Sequence, residues 1–522
     1  MPNQYKPLPP VDVIAPAIIR YWRQRLTDSQ ILDALLAHHI DASMYGMGLT
    51  SFISMRTSMG LLRTRKQAHT VDTIHPVMEL LRIQYPNAGA REVVSVLFHE
   101  WNMSVSRVVV QSYFVTYEAE LIMKRRARRL RRKRFYAAGL NDIWAVDQHD
   151  KWKYKFGLGL HIGVDPFSGK IVWLKVWWTN SNPRLILGYH LDTVEELEYM
   201  PMVSQSDPGN ENFGLANGQT LLRHYHDPNL IGTLQHRWMN RKKNVMPEIA
   251  WSQLRRRWSP GFENILDRGV TNGWYNTDNL LESLIFRWVF IPWLQLELDQ
   301  YRNRINDTKK RADRNKILPH GPPNHIQEFP ENYGVLDFKI AVNREHIETV
   351  RQMYAPRDHE VFQLVPADFA QLAWSLHEQL GQPSVTRDNV WNIYNNLYSG
   401  FRAIMRMNDL PISIDGWEIV QIMAQDDYTS DDIDLIPDLI SLPLRDNSDP
   451  DTVASQYLGG VNNGQGLDME HLRQLDEQME EDYPLPPGRF DLIEEGPLYV
   501  DFSDEDGSEE DAEMVDALLL DT

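Results

Sequence analysis

The run IWAVDQHD, residues 143–150, decides the fold class together with FGLGLHIGVD at 156–165 and KIVWLKVWW at 170–178. All three runs are rich in β-branched and aromatic residues, which favour strands. The sequence DPFSG at 165–169 separates the second run from the third and is typical of a tight turn. The pattern therefore predicts three consecutive strands that pair as a meander.

Downstream of the meander, helical and strand patterns alternate. They are the helix SNPRLILGYHLDTVEELEY (181–199), the strand PMVSQSD (201–207), the helix LANGQTLLRHYH (215–226), the short strand GTLQHRW (232–238) and the helix PEIAWSQLRRRW (247–258). Three strands followed by alternating helices and strands predict a mixed α/β sheet that is covered on both sides. A long helix at 279–306, interrupted at Pro292, is expected to follow.

The segments that flank this sheet are predicted to be helical. Before it, two helical units each have a short turn and basic residues toward the end, which is the layout of a helix-turn-helix. A small helical bundle with a solvated basic end is the alternative. The predicted domains are 1–70 and 71–140 (all-α, helix-turn-helix-like), 141–330 (central α/β sheet), 331–425 (helical) and 426–522 (disordered acidic tail).

Charge is distributed very unevenly along the 522 residues. Residues 426–522 hold 29 Asp and Glu but three Lys and Arg, a net charge of −26, so the other 425 residues carry +7 of the total −19. In contrast, KRRARRLRRKR at 124–134 has nine cations in eleven residues. A basic body joined to an acidic tail suggests a polyanion partner for the body. Two apolar islands in the tail, DDIDLIPDLISL and EMVDALLL, are candidate docking or activation-like segments for a protein partner.

Composition excludes several classes of site. The chain contains no cysteine, which rules out disulfides, a thiol nucleophile and any zinc site that uses cysteine. No apolar run is long enough for a membrane span, and the N-terminus lacks the pattern of a signal peptide. We therefore expect a protein without a membrane partner, in the nucleus or otherwise the cytoplasm.

Three carboxylates lie where phosphodiester chemistry would need them. Asp147 interrupts an apolar strand, Asp207 ends the next predicted strand, and Glu248 opens a helix after Pro247. Hard cations such as Mg²⁺ prefer oxygen ligands, and in-line displacement at phosphorus suits two such ions about 3.5–4 Å apart. These residues are therefore the candidate catalytic and metal-binding groups, with Mg²⁺ or Mn²⁺ as the two ions.

The same residues carry a family resemblance. AVDQHDKW before a hairpin resembles the first-Asp strand of retroviral-type integrase cores, SDPGNENF their second-Asp motif, and NVMPEIAW the Asn-x-x-x-Glu-x-x-Trp helix start of integrase-core proteins of transposon origin. The layout of 141–330 is similar to integrase cores of fungal transposable elements. The resemblance implies an RNase H-like fold, Mg²⁺ or Mn²⁺, DNA strand transfer and a homo-oligomer. Unlike retroviral integrases, this chain has no His/Cys zinc domain in front.

Each candidate carboxylate also has a structural interpretation. Asp147 is then a hydrogen-bonded turn residue, Asp207 a strand-end Asx turn and Glu248 a first-turn acid favoured by the helix dipole. Rivals for the third position are Glu263 and Glu282, and His149 and Asp150 are possible assistants of Asp147.

Several basic residues are candidates for contact with DNA phosphates. They are Lys124, Arg125, Arg126, Arg128, Arg129, Arg131, Arg132, Lys242, Lys243 and Arg255. A solvated helix face is the alternative interpretation. At the level of function, the alternatives to a DNA integrase are a domesticated, non-catalytic DNA-binding protein with an acidic partner-recruiting tail, and a nuclease on the same fold.

Overall fold

The computed structural model describes residues 6–118, 137–239, 244–309, 319–407 and 433–442. Two groups of helices precede the sheet. They are α1 (Val11–Arg23), α2 (Asp28–His38), α3 (Leu49–Ser58) and α4 (Thr64–Gln67), then α5 (Val71–Gln84), α6 (Ala90–Trp101) and α7 (Arg107–Tyr117). The predicted helical N-terminus is confirmed.

The centre is a five-stranded mixed sheet in the order β3-β2-β1-β5-β6. Its strands are β1 (Ile143–His149), β2 (Gly159–Asp165), β3 (Lys170–Trp177), β5 (Val203–Ser206) and β6 (His236–Trp238), while β4 (Tyr199–Met200) pairs separately with β7 (Ile340–Ala341). The first three strands are antiparallel, whereas β5 runs parallel to β1 and β6 parallel to β5. The predicted meander and mixed sheet are confirmed.

Helices flank this sheet and continue after it. They are α8 (Lys153–Phe156), α9 (Pro183–Leu197), α10 (Phe213–His226), α11 (Val245–Arg257), α12 (Ser259–Thr271), α13 (Leu280–Asp307), α14 (Pro323–Glu328), α15 (Arg344–Tyr354), α16 (Ala367–Gln379) and α17 (Val390–Met407). In the described ranges, none of these helices has the length and apolar character that crossing a membrane requires.

The predicted interruption at Pro292 is wrong, because α13 continues through it. The proline removes one backbone donor, but its ring lies on the exposed side of the helix. The neighbouring Ile291 and Trp293 are buried and hold both halves of the helix on the same core. Packing therefore outweighs the local helix-breaking tendency.

Two apolar clusters divide the molecule differently from the predicted domains. One holds the first helical group, from Ile14 to Met55, with Phe98 and Phe329. The other runs from Ile74 in α5 through the sheet to Phe401 in α17. Residues 71–117 thus share one core with the sheet. Gly261 shows how closely they approach, since a Cβ there would collide with the Gln84 carbonyl oxygen.

Residues 433–442, which belong to the predicted disordered tail, pack on the sheet domain. Ile433 and Leu442, at the two ends of this segment, are each 7% exposed. The prediction rested on acidic composition, and it underestimated what the apolar island within that composition can bury.

Candidate active site

Asp147 lies near the carboxyl end of β1, and Asp207 directly follows the neighbouring strand β5. In the parallel pair of β1 and β5, Ala145 is opposite Gln205. Each aspartate lies two residues further along its own chain, so the same register brings the two carboxylates side by side. Hydrogen-bonded neighbouring strands lie about 4.8 Å apart. The two side chains are therefore close enough for the Asp207 carboxylate to raise the pKa of Asp147.

The electrostatics of this pair are unfavourable for two ionised groups. The pKa of Asp147 is raised to about 8, chiefly by burial and to a smaller extent by the carboxylates of Asp207 and Glu248. Burial also raises the pKa of Asp207, whose Oδ1 atom is buried without a hydrogen-bond partner. Such a buried, unpaired oxygen is costly unless a ligand satisfies it.

The first turn of α11 is held over these strand ends by Asn244. Its Nδ2 donates to the Val146 carbonyl oxygen at 2.7 Å, and its Oδ1 accepts from Gln205 Nε2 at 3.2 Å. Val146 precedes Asp147, and Gln205 lies two residues before Asp207, so one buried amide connects the helix start to both strands. This arrangement brings Glu248 close enough to act on Asp147.

Asn244 is a residue whose role sequence reasoning missed. The sequence offered it only as the first letter of the motif NVMPE. Its two partners are 98 and 39 residues away, and no local pattern predicts such bonds.

The side of α11 that faces β1 continues from Glu248 to Trp251 and Arg255. The Trp251 ring stacks on His149 with centroids 5.2 Å apart and an angle of 24°. The Trp251 indole N–H acts on the Asp147 carboxyl and lowers its pKa, although it does not reach full hydrogen-bonding geometry. Arg255 is exposed and, after burial, is the main cause that lowers the pKa of His149.

The rival carboxylates have structural roles. Glu263 Oε1 accepts a hydrogen bond from Trp152 Nε1 at 2.8 Å. Glu282 accepts from the Asn276 backbone N–H at 2.8 Å and from Asn279 Nδ2 at 3.0 Å, which closes the N-terminus of α13. These hydrogen bonds give Glu263 and Glu282 structural roles that do not involve the carboxylate site.

Two further acids border the site. Asp150 accepts from Asn180 Nδ2 at 2.8 Å, so this possible assistant also has a structural contact. Glu211 was not singled out by the sequence reasoning, yet burial raises its pKa and Asp207 adds to the effect. The only sequence signal was an extra acid in the turn SDPGNENF. Glu211 belongs to the same electronegative region as Asp207.

Most of the basic candidates lie outside the described residues. They are Lys124, Arg125, Arg126, Arg128, Arg129, Arg131 and Arg132, together with Lys242 and Lys243. Arg255 alone of the ten is described, on the helix that carries Glu248.

The donor chemistry of the site fits a hard divalent cation, because it combines carboxylates with an unsatisfied buried oxygen. Across the part of the chain that the structure describes, however, no three His, Asp or Glu side chains are arranged to hold a metal ion. An ion would require the carboxylates to approach one another more closely, which it would favour by offsetting their mutual repulsion.

Comparison with known proteins identifies the central domain. Residues 135–320 match the family model described as an integrase core domain. The match spans the five-stranded sheet and the three carboxylates Asp147, Asp207 and Glu248. No curated protein and no solved structure matches the chain. Residues 135–320 are therefore similar to integrase core domains, while an origin in a fungal transposable element stays a prediction.

Proposed function

We propose, from the integrase core at residues 135–320, that this protein cuts and joins DNA as a metal-dependent polynucleotidyl transferase. The observation that supports the proposal is the convergence of Asp147, Asp207 and Glu248 from three elements at one edge of the sheet. Two Mg²⁺ or Mn²⁺ ions held by these carboxylates would neutralise the charge that develops on the transferring phosphate.

The chain's own groups have distinct tasks in this proposal. Asp147 and Asp207 supply negative charge and oxygen ligands from the strand ends, and Asn244 keeps the helix of Glu248 over them. In cleavage, a water oxygen bonds to phosphorus and the bond to the DNA 3′ oxygen breaks. In joining, a DNA 3′-hydroxyl oxygen replaces water as the nucleophile. No covalent enzyme intermediate is needed, so a chain without cysteine can perform both steps.

DNA is the partner that the integrase core implies. Arg255, exposed beside His149, is a candidate contact to a phosphate at the site. The basic residues at 124–132 and 242–243 are candidates for the same role because Lys and Arg dominate phosphate contacts. The proposal also includes a homo-oligomer and a nuclear location. The N-terminal helical units would recognise DNA as helix-turn-helix-like units.

The experiment is nicking and joining of labelled DNA by the full chain with Mg²⁺ or Mn²⁺. We expect activity that Asp147→Asn and Glu248→Gln each reduce by roughly 10³-fold or more, because the carboxylates act as a unit. The matched control is Glu263→Gln, which keeps an acceptor for Trp152 and should retain activity. Equal activity of all four proteins would exclude the assigned site.

A second candidate function is a domesticated DNA-binding protein without catalysis. The observation in its favour is that no three His, Asp or Glu side chains of the described residues are arranged as a metal site. A protein that binds DNA but neither binds Mn²⁺ nor cleaves DNA under any tested condition would support this candidate over the first.

A further inference from the structure

Strand β5, which leads to Asp207, is buried although most of its residues are polar. Its sequence is VSQS, and Ser204, Gln205 and Ser206 are all buried. Buried polar side chains are costly unless hydrogen bonds satisfy them. Gln205 bonds to Asn244 on one face of the strand. Because side chains alternate between the faces of a strand, the two serines need partners on the other face.

One histidine of the neighbouring strand bonds to both serines. His236 lies opposite Ser204 in the parallel pair of β5 and β6. Its Nδ1 atom is 2.8 Å from Ser204 Oγ, and its Nε2 atom is 3.0 Å from Ser206 Oγ. The ring is buried and packs edge-on against Trp238, with centroids 4.3 Å apart. His236 therefore spans the part of β5 that leads directly to Asp207.

These hydrogen bonds run in one direction, from Ser204 through His236 and Ser206 to Asp207. Ser206 Oγ donates to the Asp207 carbonyl oxygen at 2.9 Å. A hydroxyl has one proton to donate, so Ser206 accepts from the Nε2–H of His236. Burial lowers the pKa of His236 to about 3, so the ring is neutral at physiological pH. Its Nδ1 atom then accepts from the Ser204 hydroxyl.

Both peptide groups that flank Asp207 are held by hydrogen bonds. On the N-terminal side, the Ser206 carbonyl oxygen accepts from the Met239 N–H at 2.8 Å. On the C-terminal side, the Asp207 carbonyl oxygen accepts from Ser206 Oγ and from Asn212 Nδ2 at 3.3 Å. Because peptide groups are planar, fixing both planes fixes the direction of the Cα–Cβ bond between them. The backbone thus orients the Asp207 carboxylate, whose Oδ1 has no hydrogen-bond partner among the described residues.

We propose that His236, with its proton on Nε2, is a positioning residue that acts through Ser206 to hold Asp207 in place for metal binding. A neutral imidazole suits this task, because it supplies the donor without placing a positive charge where a cation would have to bind. Asn244 holds the same strand from its other face. The inference rests on the proposed function only in taking Asp207 as a metal ligand.

The test compares four full-length proteins: the wild type, His236→Gln, His236→Asn and the control His226→Asn. The amide nitrogen of the longer glutamine can replace Nε2 and donate to Ser206, whereas the shorter asparagine ends near the position of Nδ1. His226 is an exposed histidine at the end of α10, so its variant controls for the same substitution outside the site.

Three measurements are made on these proteins. Nitrogen NMR of ¹⁵N-labelled histidines shows which ring nitrogen of His236 carries the proton, and the His236 signals are identified by their loss in the variants. Titration of metal-free protein with Mn²⁺ gives the metal affinity. Binding and cleavage of labelled DNA are measured separately, so that a loss of metal binding is distinguished from general unfolding.

We expect a neutral His236 ring protonated on Nε2 in the wild type. His236→Asn should lose about tenfold or more in both Mn²⁺ affinity and cleavage rate, while DNA affinity stays within about twofold. His236→Gln should recover most of both losses, and His226→Asn should match the wild type.

A wild-type ring protonated on Nδ1 would refute the inference. Wild-type Mn²⁺ affinity and cleavage in His236→Asn would refute it too and leave the proposed function standing. Equal losses of Mn²⁺ affinity, cleavage and DNA affinity in both His236 variants would mean that His236 only stabilises the fold, which also overturns the inference. Absence of Mn²⁺ binding and of cleavage in the wild type would contradict the proposed function as well.

Discussion

At the scale of one residue, the surroundings of Asp147 disfavour the ionised form of its carboxyl. Its side chain is half-buried beside Asp207, and its pKa is raised from 3.8 to about 8. Between these values the folded protein holds a proton that the unfolded chain has already released. The stability contributed by this group therefore falls as pH rises toward 8. A bound cation would reverse that penalty, which is a common feature of sites built for metal.

We predict that Asp147→Asn is more stable than the wild type when metal is removed by chelation. One pKa unit corresponds to about 1.4 kcal/mol, so half of the shift to about 8 would already give about 3 kcal/mol at pH 8. The amide does not titrate, so the advantage should shrink toward pH 5. Melting temperatures of both proteins at the two pH values measure this difference.

Added Mn²⁺ serves as the control for this stability comparison, because it should raise the melting temperature of the wild type and leave that of Asp147→Asn nearly unchanged. A variant that is less stable than the wild type at pH 8 without metal would show that the buried carboxylate is satisfied by the protein itself.

At the scale of an element, one buried amide ties the start of α11 to both strands of the carboxylate site. Asn244 bonds to Val146, next to Asp147 in β1, and to Gln205 in β5, the strand that Asp207 follows. We predict that Asn244→Ala costs about 1–3 kcal/mol of stability, since two buried partners lose a bond. Cleavage should fall at least tenfold, while DNA affinity stays within about twofold, because Asn244 positions Glu248 rather than touching DNA.

The matched control on the same helix is Ser252→Ala, at an exposed position. It should leave stability, DNA affinity and cleavage at wild-type levels. The readout that separates positioning from general unfolding is the split between cleavage rate and DNA affinity in Asn244→Ala. Parallel losses of both would mean that the variant merely unfolds.

The elements differ in how far the sequence predicts them. The strands of 143–177 follow from β-branched and aromatic runs around a tight turn, and all three are present. The predicted helix interruption at Pro292 is wrong, because burial of Ile291 and Trp293 stabilises the helix more than the proline destabilises it. Sequence reasoning singled out Asp147 because an acid in an apolar strand is unusual, whereas Asn244 bonds to residues 98 and 39 positions away in the chain. Long-range contacts of this kind have no local signature.

At the scale of the whole molecule, the domain boundaries also depend on long-range contacts that the local sequence does not reveal. Composition and periodicity divide the chain near residue 140, but the buried apolar cluster crosses that point. A charged contact crosses it as well: Glu92 in α6 pairs with Arg304 in α13 and with Arg257 in α11, each at 3.3 Å. The second helical group and the sheet are therefore bound by both apolar packing and buried ion pairs.

This connection predicts that residues 71–117 and the sheet unfold as one unit. Glu92→Gln would weaken the pairing of Arg304 and Arg257, although Arg304 keeps Glu100 at 3.5 Å, at a cost of about 1.5–3 kcal/mol. Hydrogen exchange should then show α6 and β1–β3 losing protection together and by similar amounts. Glu79→Gln is the control, because that side chain is 69% exposed and its loss should change neither region. If Glu92→Gln released α6 while the strands kept full protection, the two groups would be separate folding units, and the boundary near residue 140 would hold energetically despite the shared core.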